Sequence, residues 1–131
     1  MGLAMAALAL ATWHFLAPRS SPINTVLTGE ALPAVPRLQR PPTLDPAQFS
    51  GRAGETYRVA RERPALLERL PCYCGCFTQQ GHQNLLDCFA DLHAAHCEMC
   101  QSIAIRAAAL ALRGYDAEDV KAIIDREFAP R

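Results

Sequence analysis

A chain of 131 residues has room for one small domain with flanking segments. Its 13 basic and 13 acidic side chains cancel, and no cluster of Lys or Arg marks an electrostatic footprint for nucleic acid. Arginine supplies nearly all the positive charge, Lys121 being the one lysine.

Residues 1–17, MGLAMAALALATWHFLA, are apolar except for Thr12 and His14. That length suits a signal-peptide core or a short membrane anchor, a full helical span needing about 20 apolar residues. No Lys or Arg precedes the run, and Ala17 is followed by Pro18, a poor cleavage pattern. Both an uncleaved N-terminal anchor and a cleaved signal peptide are expected to place the protein outside the cytoplasm. The localisation read from this segment is the cell envelope, in the periplasm or on the outer face of the inner membrane, with the membrane as partner. A buried helix of the globular domain is the alternative.

Residues 18–50 hold seven of the ten prolines, from Pro18 to Pro46, and show no useful hydrophobic periodicity. They read as a disordered, extended tether, rising about 3.1 Å per residue where polyproline II forms. The compact part is expected over 51–131. Tyr57, Ala60 and Arg61 fall at helical spacing, Pro64 interrupts the helix, and Leu66, Leu67 and Leu70 share one side of a short second one. Between Pro71 and Gln83 a tight loop with Gly75 and Gly81 leaves no room for regular structure. Leu85, Cys88, Phe89 and Leu92 then make an i, i+3, i+4, i+7 stripe. A longer helix runs through Ile103, Ala104, Ala107, Leu110 and Ala111 to Gly114. Asp116 N-caps a last helix with Val120, Ile123, Ile124 and Phe128 buried. No segment alternates with strand period. The fold class is all-α, a small Cys-rich domain of about four helices, two of them short. A core this small often relies on disulfides or a metal.

Six cysteines fall between Cys72 and Cys100 and none elsewhere: Cys72, Cys74, Cys76, Cys88, Cys97 and Cys100. Export would put them where disulfides persist, and six thiols allow 15 pairings. On a helix, Cys97 and Cys100 share a face, and His93 and His96 would extend it into a four-residue stripe. Such donors suit Zn²⁺ in a tetrahedron or a soft ion such as Cu(I). Cys72, Cys74 and Cys76 are spaced too closely to pair with one another without strain. In an extended loop Cys72 and Cys76 would point one way and Cys74 the other. Three loop thiols facing Cys88, Cys97 and Cys100 fit a three-disulfide knot and a sulfur-rich metal cluster equally well. A dithiol–disulfide pair at Cys97 and Cys100, with the first thiol's pKa lowered, is a third reading, although the βαβ setting of a thioredoxin-like pair is missing. Gln101 follows Cys100, so covalent haem attachment through that motif is excluded. Asp87 and Asp91 read as the wet side of a helix, with orientation of a histidine as the alternative. No catalytic residues suggest themselves: there is no carboxylate pair, Ser/His/Asp set or phosphate-binding glycine loop.

The run Pro71-Cys-Tyr-Cys-Gly-Cys76 resembles the motif that names the PCYCGC-motif proteins of bacteria, many of them predicted lipoproteins of unassigned function. Tyr57, Ala60, Pro64, Gly81-His82, Cys88-Phe89, His93, Cys97-x-x-Cys100, Ile103-Ala104 and Ile123-Ile124-Asp125 support the resemblance, which covers about residues 54–128. It implies an exported, membrane-tethered small domain and brings no activity with it. The lipoprotein members carry a lipidated Cys after the signal peptide, whereas here no Cys precedes Cys72, so lipid modification is not carried over. His96 has no match in the pattern.

The leading expectation is a non-enzymatic domain binding Cu(I) or Zn²⁺ through Cys72, Cys74, Cys76, Cys88, Cys97 and Cys100, with His82 or His93 contributing. A disulfide-stapled interaction module without metal is the alternative, and a thiol–disulfide redox protein the third.

Overall fold

The computed structural model describes residues 31–131. The expected signal peptide or anchor at 1–17 and the first part of the linker lie outside the described residues. Five α-helices follow: α1 (Gly51–Glu62), α2 (Pro64–Leu67), α3 (Cys76–Gln79), α4 (Glu98–Leu112) and α5 (Ala117–Phe128). Short 3-10 turns stand at Pro46–Gln48, Leu85–Phe89 and Ala94–His96. Among the described residues there is no strand, and no helix is long and apolar enough to cross a membrane. The all-α expectation holds.

Each long helix has a chemical reason to stop or start where it does. Proline at position 64 has no N–H to continue α1, and its fixed φ suits the first position of α2. Gly114, at φ 91°, ends α4. There the Tyr115 N–H donates to the Leu110 carbonyl and the Gly114 N–H to that of Ala111, the paired bonds of a Schellman cap. The Asp116 carboxylate accepts from the N–H groups of Glu118 and Asp119, both at 2.9 Å, and opens α5.

Helix α4 packs between α1 and α5. Its inward side offers Ile103, Ala104, Ala107 and Leu110, all buried, and the two alanines let neighbouring backbones come close. Tyr57 of α1 is fully buried between two rings, stacked on Phe49 with centroids 4.0 Å apart and edge-on to Phe89 at 5.1 Å. Leu67, Leu70, Leu85, Leu86, Val120 and Ile124 complete this core.

The structure corrects three expectations. The first concerns the tether, which over residues 32–49 lies against the domain instead of standing clear of it. Its backbone bonds to Gln83 and Phe89, through Val35 N–H at 2.9 Å and Leu44 N–H at 3.0 Å. Arg37 and Arg40 reach Asp87 and Glu68 from the same stretch. Proline gives extended segments but leaves every other backbone group free to pair, and these find partners on the loop they cross. The second is the stripe from Leu85 to Leu92, which is not an α-helix. It is a 3-10 turn capped by Asn84, and Leu92 beyond it is 56 % exposed. The third is the loop from Pro71 to Gln83, where α3 provides one helical turn.

Candidate metal centre

Four short segments bring the cysteines together. Pro71 ends the run after α2 and delivers Cys72 and Cys74 into a turn, while the Leu85 N–H bonds to the Leu70 carbonyl at 2.7 Å and closes the loop at its base. Gly75 sits at φ 90° and directly precedes α3, of which Cys76 is the first residue. That left-handed residue overturns the expected alternation. An extended chain would send Cys74 away from Cys72 and Cys76, yet the three sulfurs lie within 4.8 Å of one another. Cys88 comes from the 3-10 turn Leu85–Phe89, Cys97 is the N-cap of α4, and Cys100 lies in its first turn.

His82 and His93 arrive from the flanks. The expected helical stripe of His93, His96, Cys97 and Cys100 does not form. The chain there is a 3-10 turn and Cys97 is extended, at φ −119° and ψ 102°. His93, Cys97 and Cys100 nonetheless meet, joined by Cys74, while His96 is exposed and belongs to no donor group.

All six thiols are free. Together with the two imidazoles they form overlapping groups whose donor atoms lie within 4.8 Å of one another: Cys74/His93/Cys97/Cys100, Cys72/Cys74/Cys76, Cys72/Cys88/Cys100 and Cys76/His82/Cys88. Cys72 Sγ is 3.1 Å from Cys100 Sγ and 3.2 Å from Cys74 Sγ. Cys76 and Cys88 are separated by 3.6 Å, and Cys74 and Cys100 by 3.9 Å. Nε2 of His93 is 3.4 Å from Cys74 Sγ, and Nδ1 of His82 is 3.3 Å from Cys88 Sγ. Cys72, Cys76, Cys88 and Cys100 are buried, whereas Cys74, Cys97 and both histidines are half-buried.

Crowding splits the thiols by acidity. Hydrogen bonds from Cys88, Cys76 and Cys72 outweigh burial and pull Cys74 far below its ordinary value, to about 2. Cys100 is also lowered, chiefly by its bond from Cys72. Their neighbours hold the protons: Cys72 pushes Cys76 up to about 12, and Cys88 is raised by Cys100 and Cys72. Metal binding at such a cluster requires the thiols to give up their protons, so it is coupled to pH. Burial pushes Cys97 up, the opposite of the activation that the redox reading requires of it.

Asp87 and Asp91, together with Arg37, Gln101 and Tyr73, which the sequence did not single out as site residues, hold the donors in place. Asp87 is 5 % exposed and is not on a wet face. Its two oxygens accept from Arg37 Nε at 2.8 and 3.0 Å, and one also accepts from the Gln83 N–H at 2.7 Å. Arg37 further donates to the Gly81 carbonyl at 3.3 Å, so the clamp spans His82 on both sides. Burial would raise the Asp87 carboxyl, but Arg37 and the Gln83 N–H more than offset this and hold it below the usual carboxylate range. Gln101, 7 % exposed, donates to the carbonyls of Ala94 and Ala95 at 2.8 and 3.1 Å and fixes the turn between His93 and Cys97. Asp91 is exposed. Its carboxylate accepts from the His93 N–H at 2.7 Å and its carbonyl from Tyr57 Oη at 2.5 Å. Tyr73, inside the cysteine run, donates from Oη to Asp125 at 2.7 Å and ties the loop to α5. Only the spacing of Asp87 from Gln83 and Asn84 hinted at such a capped turn.

The family described as proteins of unknown function with a PCYCGC motif matches residues 41–130. No curated protein matches the chain. No solved structure does either.

Proposed function

We propose that this chain, which belongs to the PCYCGC-motif family, binds a soft transition metal, Cu(I) or Zn²⁺, and handles or senses it without turning over a substrate. The observation that carries this reading is the gathering of six free thiols and two imidazole nitrogens into one set of overlapping donor groups. Thiolate donors favour Cu(I) and Zn²⁺ over Mg²⁺ or Ca²⁺, and imidazole is compatible with both of the favoured ions. The apolar segment at 1–17 supports an exported domain tethered to the membrane in the cell envelope, in the periplasm or on the outer face of the inner membrane.

The test is a titration of reduced, metal-free protein with Zn²⁺ or Cu(I), followed by thermal melting. Ligand at about 100 times its Kd stabilises a folded state by about 2.7 kcal/mol. Sub-stoichiometric metal with an unchanged melting temperature refutes the reading. The close approach of Cys72 and Cys100 at 3.1 Å favours a second one, a disulfide-stapled interaction module. That module would show no free thiols and would lose about 2–5 kcal/mol per bridge on reduction. Thiol titration under nitrogen beside metal analysis separates the two.

A further inference from the structure

The eight donors divide in a way that a single ion does not explain. Four of them, Cys74, His93, Cys97 and Cys100, lie mutually within 4.8 Å. The remainder, Cys76, His82 and Cys88, form another such group, and Cys72 lies within the same limit of Cys76 in one group and of Cys88 in another. The result is one quartet of three thiols and one imidazole, and one trio of two thiols and one imidazole that Cys72, near both of its sulfurs, would complete to the same composition.

We infer that the cluster holds two adjacent four-coordinate ions of the Zn²⁺ type, an outer one on Cys74, Cys97, Cys100 and His93 and an inner one on Cys72, Cys76, Cys88 and His82. The inference rests on the metal-binding reading above and adds the number of ions and the division of the ligands between them.

Distances support the partition. With metal–sulfur bonds of about 2.3 Å and metal–nitrogen bonds of about 2.0–2.1 Å, tetrahedral angles put neighbouring sulfurs about 3.8 Å apart, and sulfur and nitrogen about 3.6 Å apart. Inside the outer quartet Cys74 and Cys100 are 3.9 Å apart and Cys74 and His93 3.4 Å. Inside the inner one Cys76 and Cys88 are 3.6 Å apart and Cys88 and His82 3.3 Å. The two shortest sulfur contacts, Cys72 to Cys100 at 3.1 Å and to Cys74 at 3.2 Å, both cross from one quartet to the other. Cys72 therefore stands at the seam, the inner ligand that lies against the outer set. The two imidazole rings, one assigned to each ion, lie edge to face with centroids 5.5 Å apart and planes at 82°.

Burial separates the two sites in accessibility. The three thiols of the inner quartet are 4 %, 2 % and 0 % exposed at Cys72, Cys76 and Cys88. In the outer quartet only Cys100 is fully buried, while Cys74, His93 and Cys97 reach the surface. The outer ion is the one that exchanges with solvent, and the inner one is held by the core.

Native mass spectrometry of the reduced full-length chain titrated with Zn²⁺ tests this directly. The wild type is expected to saturate at two ions per chain, and a chelator such as EDTA to strip one rapidly and the other slowly. The double variant H93A/C97S, altered only at half-buried positions, is expected to retain a single, slowly released ion. Saturation of the wild type at one ion, or at three or more, overturns the two-site division and leaves the metal-binding reading standing. A variant that still binds two ions also overturns the division. No bound ion in the wild type defeats the metal-binding reading itself.

Discussion

Replacing Asp87 by Asn tests whether the clamp around His82 is held by charge. The substitution keeps the shape and one acceptor oxygen but removes the negative charge from a carboxylate 5 % exposed, facing Arg37 Nε at 2.8 Å. Hydrogen bonds to charged groups contribute about 1.5–3 kcal/mol each, and breaking a fully buried pair costs about 3–5 kcal/mol. Arg37 is 34 % exposed, so solvent screens part of the attraction. The expected loss is therefore about 2–3 kcal/mol, or roughly 10–20 °C in melting temperature for a domain of this size. The pH dependence has a definite sign. Asp87 titrates below its unfolded value, so its contribution is complete above about pH 4 and fades as pH falls through the folded value. Denaturant melts of wild type and D87N should differ most near neutrality and converge in acid. A difference under about 0.5 kcal/mol at neutral pH, or one that grows on acidification, refutes the argument.

Other substitutions probe the loop and the turn. Gly75→Ala forces a side chain into φ 90° and is expected to cost about 1–2 kcal/mol. By unwinding the turn it should also weaken Zn²⁺ binding at least tenfold, measured by competition with a chromophoric chelator; unchanged affinity would show that Gly75 does not set the sulfur positions. Gln101→Leu leaves the carbonyls of Ala94 and Ala95 without their donor, for an expected loss of about 1–3 kcal/mol by chemical denaturation. Full stability in that variant contradicts the assigned role. Gly54→Ala would place a methyl 2.6 Å from the Phe49 carbonyl oxygen, and a drop of about 1–3 kcal/mol is expected in thermal melts. No change there would mean that the Phe49 turn moves freely.

Much of the fold was legible because local chemistry and tertiary packing agree. The apolar period of α4, the glycine that ends it and the aspartate that opens α5 all act within a few residues. The stripe from Leu85 to Leu92 misled because the same spacing also fits a 3-10 turn, Leu85–Phe89, followed by a bend. There Asn84, Asp87 and Asp91 compete for backbone N–H groups and break the α ladder. The tether misled for a related reason. Its proline content describes backbone shape, whereas its docking depends on Arg37 meeting Asp87 fifty positions away, a pairing that no local pattern reveals. At the site, the residue types announced the chemistry. The turn at Gly75 that gathers the three loop sulfurs, and the split into two quartets, depend on a chain path that spacing does not encode.

X-ray absorption at the zinc edge of the Zn²⁺-loaded, reduced protein addresses the central claim most directly. A first shell of sulfur at about 2.3 Å with nitrogen at about 2.0–2.1 Å, in a ratio near three to one, is what the cluster predicts. A shell made only of oxygen and nitrogen would contradict it.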